Sequence, residues 1–212
     1  MTILHGLVLL AAIESTPPPL SGTQIVERMM EADNVRLAKL AGYTGLRRYR
    51  LENKRFNKRA EMTVRVACAA NGAKTFEVVE EKGSGFVRRH VIRKMIDAEQ
   101  ETSRKGERES SRIIPKNYEF RLVGMDQAEG RPSYVLGIIP RTKNKFLIRG
   151  RIWVDAEDYA IARIEGSPAQ NPSFWTRRID VHHRYSRVGP FWLPAVNRSR
   201  AEVRVFGTTE VT

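Results

Sequence analysis

From Tyr43 onward the chain alternates apolar and polar residues with a period of two, and does so repeatedly. Met62, Val64, Val66 and Cys68 alternate with Glu61, Thr63 and Arg65, and Tyr118, Phe120 and Leu122 with Glu119 and Arg121. Ile179, Val181 and Tyr185 alternate with Asp180, His182 and Arg184, and Ala201, Val203 and Val205 with Arg200, Glu202 and Arg204. One-sided alternation predicts half-buried strands in an antiparallel sheet with one wetted face, because strands buried on both faces would read as unbroken apolar runs. About nine strands can be placed this way. Asn71-Gly72 predicts a tight two-residue hairpin turn. Asp155-Ala156-Glu157-Asp158 and Arg187-Val188-Gly189-Pro190 separate further strand pairs.

Two stretches change to helical spacing. Ser21-Gly22-Thr23-Gln24 reads as a capping box, and Ile25, Val26, Met29, Met30 and Ala32 follow it, predicting a helix to about Leu40 that Gly42 ends. Between Gly85 and about Glu107, Val87, Val91, Ile92, Met95 and Ile96 fill half a helical wheel, while Arg89, His90, Arg93 and Lys94 fill the other half. Arg88 falls inside the apolar arc, which its stem can tolerate if the head reaches water. Gly83-Ser84-Gly85 supplies a hinge before this helix, and residues 102–111 hold no apolar side chain and predict an exposed connection.

A chain of 212 residues can bury a substantial core without covalent staples, so the single cysteine, Cys68, is expected as a small buried hydrophobe. The start is different. Thr2 to Ile13 carries no charged side chain apart from His5 and then meets Glu14 and Pro17-Pro18-Pro19, too short for the roughly 20 residues of a membrane span. Residues 1–20 are therefore expected as a signal peptide and proline-rich junction, although no Lys or Arg precedes the apolar run; a strand or packed tail is the alternative. Residues 21–212 are expected to form one domain. The 37 Lys and Arg against 24 Asp and Glu leave a net charge of +13, which favours acidic partners: nucleic acid, anionic lipid headgroups or envelope polyanions.

The order of helix, β-hairpins, inserted amphipathic helix and long antiparallel run, with Gly150-Arg151-Ile152-Trp153-Val154-Asp155, Ile161-Ala162-Arg163-Ile164-Glu165-Gly166 and Gly189-Pro190-Phe191-Trp192-Leu193-Pro194, resembles the bacterial lipoprotein-sorting proteins of the LolA/LolB type. The resemblance implies a mainly β fold: an unclosed antiparallel barrel whose concave apolar face is covered by helices. It implies a non-enzymatic, monomeric, periplasmic carrier without cofactor or metal, serving outer-membrane lipoprotein sorting or lipid trafficking. Its partners would be lipoprotein acyl chains or anionic lipid, together with an inner-membrane transporter and the membrane surface. Burial of a sixteen-carbon chain at about 0.8 kcal/mol per methylene is worth about 12 kcal/mol gross. By this analogy Val87, Val91, Ile92, Met95 and Ile96 form a lid, Trp153 lines the cavity, and Arg88, Arg89, Arg93 and Lys94 face an anionic headgroup. The family's lid-closing arginine has no motif to mark it here; Arg65 merely lies on a strand.

Other classes find less support. His5, His90, His182 and His183 lack metal-ligand spacing, and the adjacent His182 and His183 must point to opposite faces of a strand. Gly83-Ser84-Gly85 falls short of a hydrolase elbow. The rival is a single-stranded nucleic-acid or polyanion-binding module, because Arg47-Arg48-Tyr49-Arg50 and Lys54-Arg55-Phe56-Asn57-Lys58-Arg59 mix cations with aromatics. Trp153, Trp175 and Trp192 stand beside turns, as cavity lining or as ordinary core.

Overall fold

The computed structural model describes residues 20–103, 109–171, 176–203 and 207–212. The leader region, residues 104–108 of the exposed connection, Trp175 and Val205 lie outside them.

The capping box forms as its residues require. Gln24 N–H donates to Ser21 Oγ at 3.3 Å and Ser21 N–H donates to Gln24 Oε1 at 2.9 Å, starting α1 (Gly22–Lys39). The helix stops at Leu40, which turns extended. Gly42 has a different role from the one expected. It opens the first strand at φ +114°, where a Cβ would sit 2.6 Å from the Cys68 carbonyl oxygen.

Ten strands follow: β1 (Gly42–Asn53), β2 (Lys58–Ala69), β3 (Lys74–Gly83), β4 (Tyr118–Ala128), β5 (Arg131–Pro140), β6 (Ile148–Asp155), β7 (Ile161–Pro168), β8 (Thr176–Val188), β9 (Phe191–Val203) and β10 (Gly207–Val211). They form one antiparallel sheet in the order β3-β2-β1-β10-β9-β8-β7-β6-β5-β4, unclosed, with β3 and β4 as edges. The return of β10 onto β1, Leu51 opposite Val211, joins the two hairpin series into one surface.

The β2–β3 connection is longer than two residues. Ala69 N–H bonds to Ala73 O at 2.9 Å and Gly72 N–H to Ala69 O at 2.8 Å, so Ala70 and Asn71 make the turn and Gly72, at φ +80°, completes a bulged loop. Asp155 acts as its turn position suggests, accepting the N–H groups of Glu157 and Asp158 at 3.1 and 2.7 Å.

The second helical stretch comprises α2 (Gly85–Val87), a π-helical turn (Arg88–Ile92) and α3 (Arg93–Thr102). It ends about one turn before the expected Glu107. The wide turn coincides with the residue that interrupts the apolar arc. Arg88 does not send its head to water: Nη1 donates to Gly83 O at 2.5 Å, Nε lies 3.4 Å from Glu81, and the side chain is 20% exposed.

The concave face carries two separate cores. One joins Ile25, Val26 and Met29 of α1 to Tyr118, Leu136, Ile138, Ile152, Val154 and Ile164 of β4 to β7. The other joins Val87, Ile92 and Ile96 to Tyr49, Leu51, Met62, Val64 and Val66 of β1 and β2, with Val211 of β10. Both helices run along the strands from the same end of the sheet. Ser84 N–H meets Arg59 O at 3.0 Å beside the β1–β2 turn, and Ser103 at the far end accepts Lys74 N–H at 3.2 Å. Likewise Gly22 lies against Leu122, while Arg36 donates to the Asp158 carbonyl at 2.8 Å in the β6–β7 turn.

Candidate functional site

Between the two cores lies a strip that neither helix covers. Ile164 pairs with His183, His183 with Asn197, and Ser199 with Val211, so the concave faces of β8 and β9 are set by residues of known orientation on either side. Ile179, Val181, His183, Ser199 and Ala201 on that strip are half-buried, while their neighbours on either flank are packed. Burial nevertheless pushes the Tyr185 phenol up to about 12 and lowers His183 below the ordinary imidazole range. Both shifts follow first from desolvation of groups that remain half-buried on the strip.

A charged cluster ties the end of the second helical stretch to the sheet beside the strip. Glu99 of α3 receives Arg47 of β1 at 2.5 Å and Lys74 of β3 at 2.7 Å, with the three side chains 27%, 22% and 21% exposed. Arg47 also donates to the Tyr49 hydroxyl at 3.2 Å. Burial by itself would raise the Glu99 carboxyl, but Lys74 and Arg47 outweigh it and hold it below the usual carboxylate range. The C-terminal turn of the helix is thereby tied to two strands, and Glu99 also acts electrostatically on His183 and Tyr185 across the strip. Sequence reasoning placed Arg47 only in the cation-and-aromatic stretch of the nucleic-acid alternative and did not single out Lys74 or Glu99 at all. The signal was the alternation itself, which sends Arg47 and Tyr49 inward and Arg48 and Arg50 outward.

The sequence-derived site residues divide. Val87, Ile92 and Ile96 are 8%, 0% and 7% exposed and fully engaged in a core, whereas Val91 and Met95 pack at its margin and stay half-buried. Arg88 and Arg93 both engage Glu81, Arg93 at 3.0 Å. Arg89 and Lys94 are exposed. Trp153 requires correction. Its neighbours Ile152 and Val154 enter the concave core, so Trp153 points to the outer face. There it packs with Ala128, Val135 and Ala162, with Arg163 stacked 4.1 Å above its ring and its Nε1–H bonded to Asp126 at 3.0 Å. Trp192 joins the same outer cluster. Arg65 likewise faces outward, 2.6 Å from Glu77 on the neighbouring strand.

The outer face holds a shallow trough of about 710 Å³ over the Gly150–Gly166 pair, lined by Arg151, Glu165, Arg178, Asp180, His182, Arg198, Arg200 and Glu210. Cations and anions alternate across it, as Arg198–Glu210 at 3.4 Å and Arg178–Asp180 at 2.9 Å show. Such a ladder solvates a surface without presenting one sign of charge. Among the described residues no three His, Cys, Asp or Glu side chains cluster as metal ligands, and no described helix is long and apolar enough to cross a membrane.

His183 gives a pH prediction. Desolvation, aided by the neighbouring His182, favours its neutral form in the folded state, against a smaller opposing effect of Glu99. Its folded value is depressed, so the stability it contributes is complete above about 6.5 and is lost as pH falls from there through the folded value. Thermal midpoints measured from pH 7 down to 5 should fall less steeply for His183→Asn than for the parent. Parallel profiles would contradict the assignment.

No family model and no curated protein matches the chain. Among solved structures it is similar to a LolA superfamily protein from Nitrosomonas europaea, with 12% identity, 91% of each chain covered and a TM-score of 0.40. It is also similar to a domain from Vibrio parahaemolyticus assigned to the outer membrane lipoprotein-sorting proteins, with 13% identity, 88% of each chain covered and a TM-score of 0.41. A third similar structure is the Pseudomonas aeruginosa MucA/MucB complex, with 14% identity, 90% of this chain and 91% of that one covered, and a TM-score of 0.31.

Proposed function

We propose that the chain is an exported, non-enzymatic carrier that shelters the acyl chains of a lipoprotein or lipid on the strip between its two helix-covered cores. The observation that carries this reading is the half-buried strip of β8 and β9, whose Ile179, Val181 and Ala201 have packed apolar surface on both sides and, among the described residues, no helix packed above them. In this reading residues 1–20 direct export and residues 21–212 act as one domain in the periplasm. Val91 and Met95 form the near wall, and Val87, Ile92 and Ile96 hold the helix that bears them. Arg89 and Lys94, which have no ion-pair partner among the described residues, are the cations of that helix left to meet an anionic headgroup. Glu99, held by Arg47 and Lys74, closes the far end.

Native mass spectrometry of protein extracted under mild conditions tests this. Lipid adducts should persist as salt is raised, because acyl burial does not depend on ion screening, and a competing single-stranded oligonucleotide should not displace them. Ser199→Trp fills the strip and should reduce uptake of a fluorescent fatty acid about tenfold while leaving the thermal midpoint nearly in place, since Ser199 belongs to neither core. Protein that takes up oligonucleotide alone, and loses it at raised salt, would overturn the carrier reading in favour of the nucleic-acid module.

A further inference from the structure

We propose that one end of the sheet docks on an anionic phospholipid bilayer through Phe56 and Phe86. Phe56 is in the β1–β2 turn and is 46% exposed; Phe86 is in the first turn after β3 and is 64% exposed. They are thirty residues apart in sequence. Ala60 opposite Gly83, and Ser84 N–H bonded to Arg59 O at 3.0 Å, bring their segments to the same end of the sheet.

Cations surround them. Lys54, Arg55 and Lys58 flank Phe56, with the Arg55 guanidinium 5.8 Å from its ring, and Arg89 lies one turn beyond Phe86. None of these four has a carboxylate within ion-pair distance among the described residues. At the opposite end Arg131 pairs with Asp155 and Glu157, and Arg187 with Asp158, while Lys39 at the end of α1 has no ion pair among the described residues. Unmatched positive charge is therefore concentrated at the end that also exposes aromatics.

That combination fits the boundary of a negatively charged bilayer, where rings lie at headgroup depth and cations meet lipid phosphates. It fits single-stranded nucleic acid less well. Stacking proteins offer a groove that follows the strand, whereas a hairpin tip and a helix start are protrusions. One face of Phe86 is already taken by His90, stacked at 4.3 Å.

Arg89 is shared with the headgroup contact of the carrier reading, but Phe56, Phe86, Lys54, Arg55 and Lys58 lie outside the strip, so variants at those positions let acyl uptake and bilayer docking fail separately. Co-sedimentation of the full chain with phosphatidylglycerol vesicles, and with phosphatidylcholine vesicles as the uncharged comparison, tests the proposal. Binding is expected to the anionic vesicles. Replacing Lys54 or Arg55 by serine should weaken it about fivefold each. Phe56→Ser and Phe86→Ser should weaken it about tenfold each, with thermal midpoints nearly unchanged because neither ring belongs to a core cluster. Retention of full binding by the Phe56→Ser, Phe86→Ser double variant would overturn the proposal. So would an equal loss on neutralising Arg178 and Arg200 of the outer trough.

Discussion

Ile92→Ala is expected to lower the free energy of unfolding by about 3 to 4 kcal/mol, measured by urea denaturation. Ile92 is fully buried against the Met62, Val64 and Val66 side of β2, and the strands around it are too regular to collapse into the space left behind. For a chain of this size each kcal/mol shifts the thermal midpoint by about 2 to 4 °C, so a drop of roughly 10 °C should follow. Val91→Ala, at the margin, should cost about 1 kcal/mol and mainly reduce acyl uptake. A large uptake defect in Ile92→Ala without a stability loss would mean that the helix is a lid resting loosely on the sheet. The packing instead makes it a structural wall, with Val91 and Met95 at its margin.

Glu99→Ala should be nearly as costly, about 3 kcal/mol, because it leaves Arg47 and Lys74, both largely buried, close together without their shared anion. Breaking such a cluster costs more than its net worth when intact. Combining Glu99→Leu with Arg47→Met should therefore recover much of the loss, leaving Lys74 to reach solvent along its stem. The helix end is tied down by this cluster, so Glu99→Ala should also speed release of a bound fatty-acid probe in stopped-flow dilution. Unchanged release with reduced stability would separate the cluster from any role in closure. Because the Glu99 carboxyl is held below its ordinary range, the parent's advantage over Glu99→Ala should be full at neutral pH and fade as pH falls below about 4.5.

Much of the architecture could be read before any coordinates. Period-two alternation is a local property of the backbone, and where one face is packed it must hold through each strand, as Met62, Val64, Val66 and Cys68 show by all being buried. The capping box is equally local, since its two reciprocal bonds span three residues. The apolar arc of the second helix and its place between two strand series were visible for the same reason. Turn geometry was less so: Asn71-Gly72 has the residues of a two-residue turn, but the register of Cys68 with Lys74 sets a longer one.

What the amino-acid sequence determined by itself was periodicity: which residues alternate, where a helix starts, and that one face of the sheet is polar and wetted. Which of the two faces Trp153 joins depends on its neighbours Ile152 and Val154 meeting α1, a contact between segments far apart in the chain. The meeting of Arg47, Lys74 and Glu99 was likewise decided by tertiary structure, because each belongs to a different element and only the descent of the helix along β1 to β3 brings them within hydrogen-bonding distance. The open strip over β8 and β9 was decided the same way. Alternation states that a face is apolar, but two helices of limited length, each anchored on its own half of a ten-stranded sheet, do not reach across its middle.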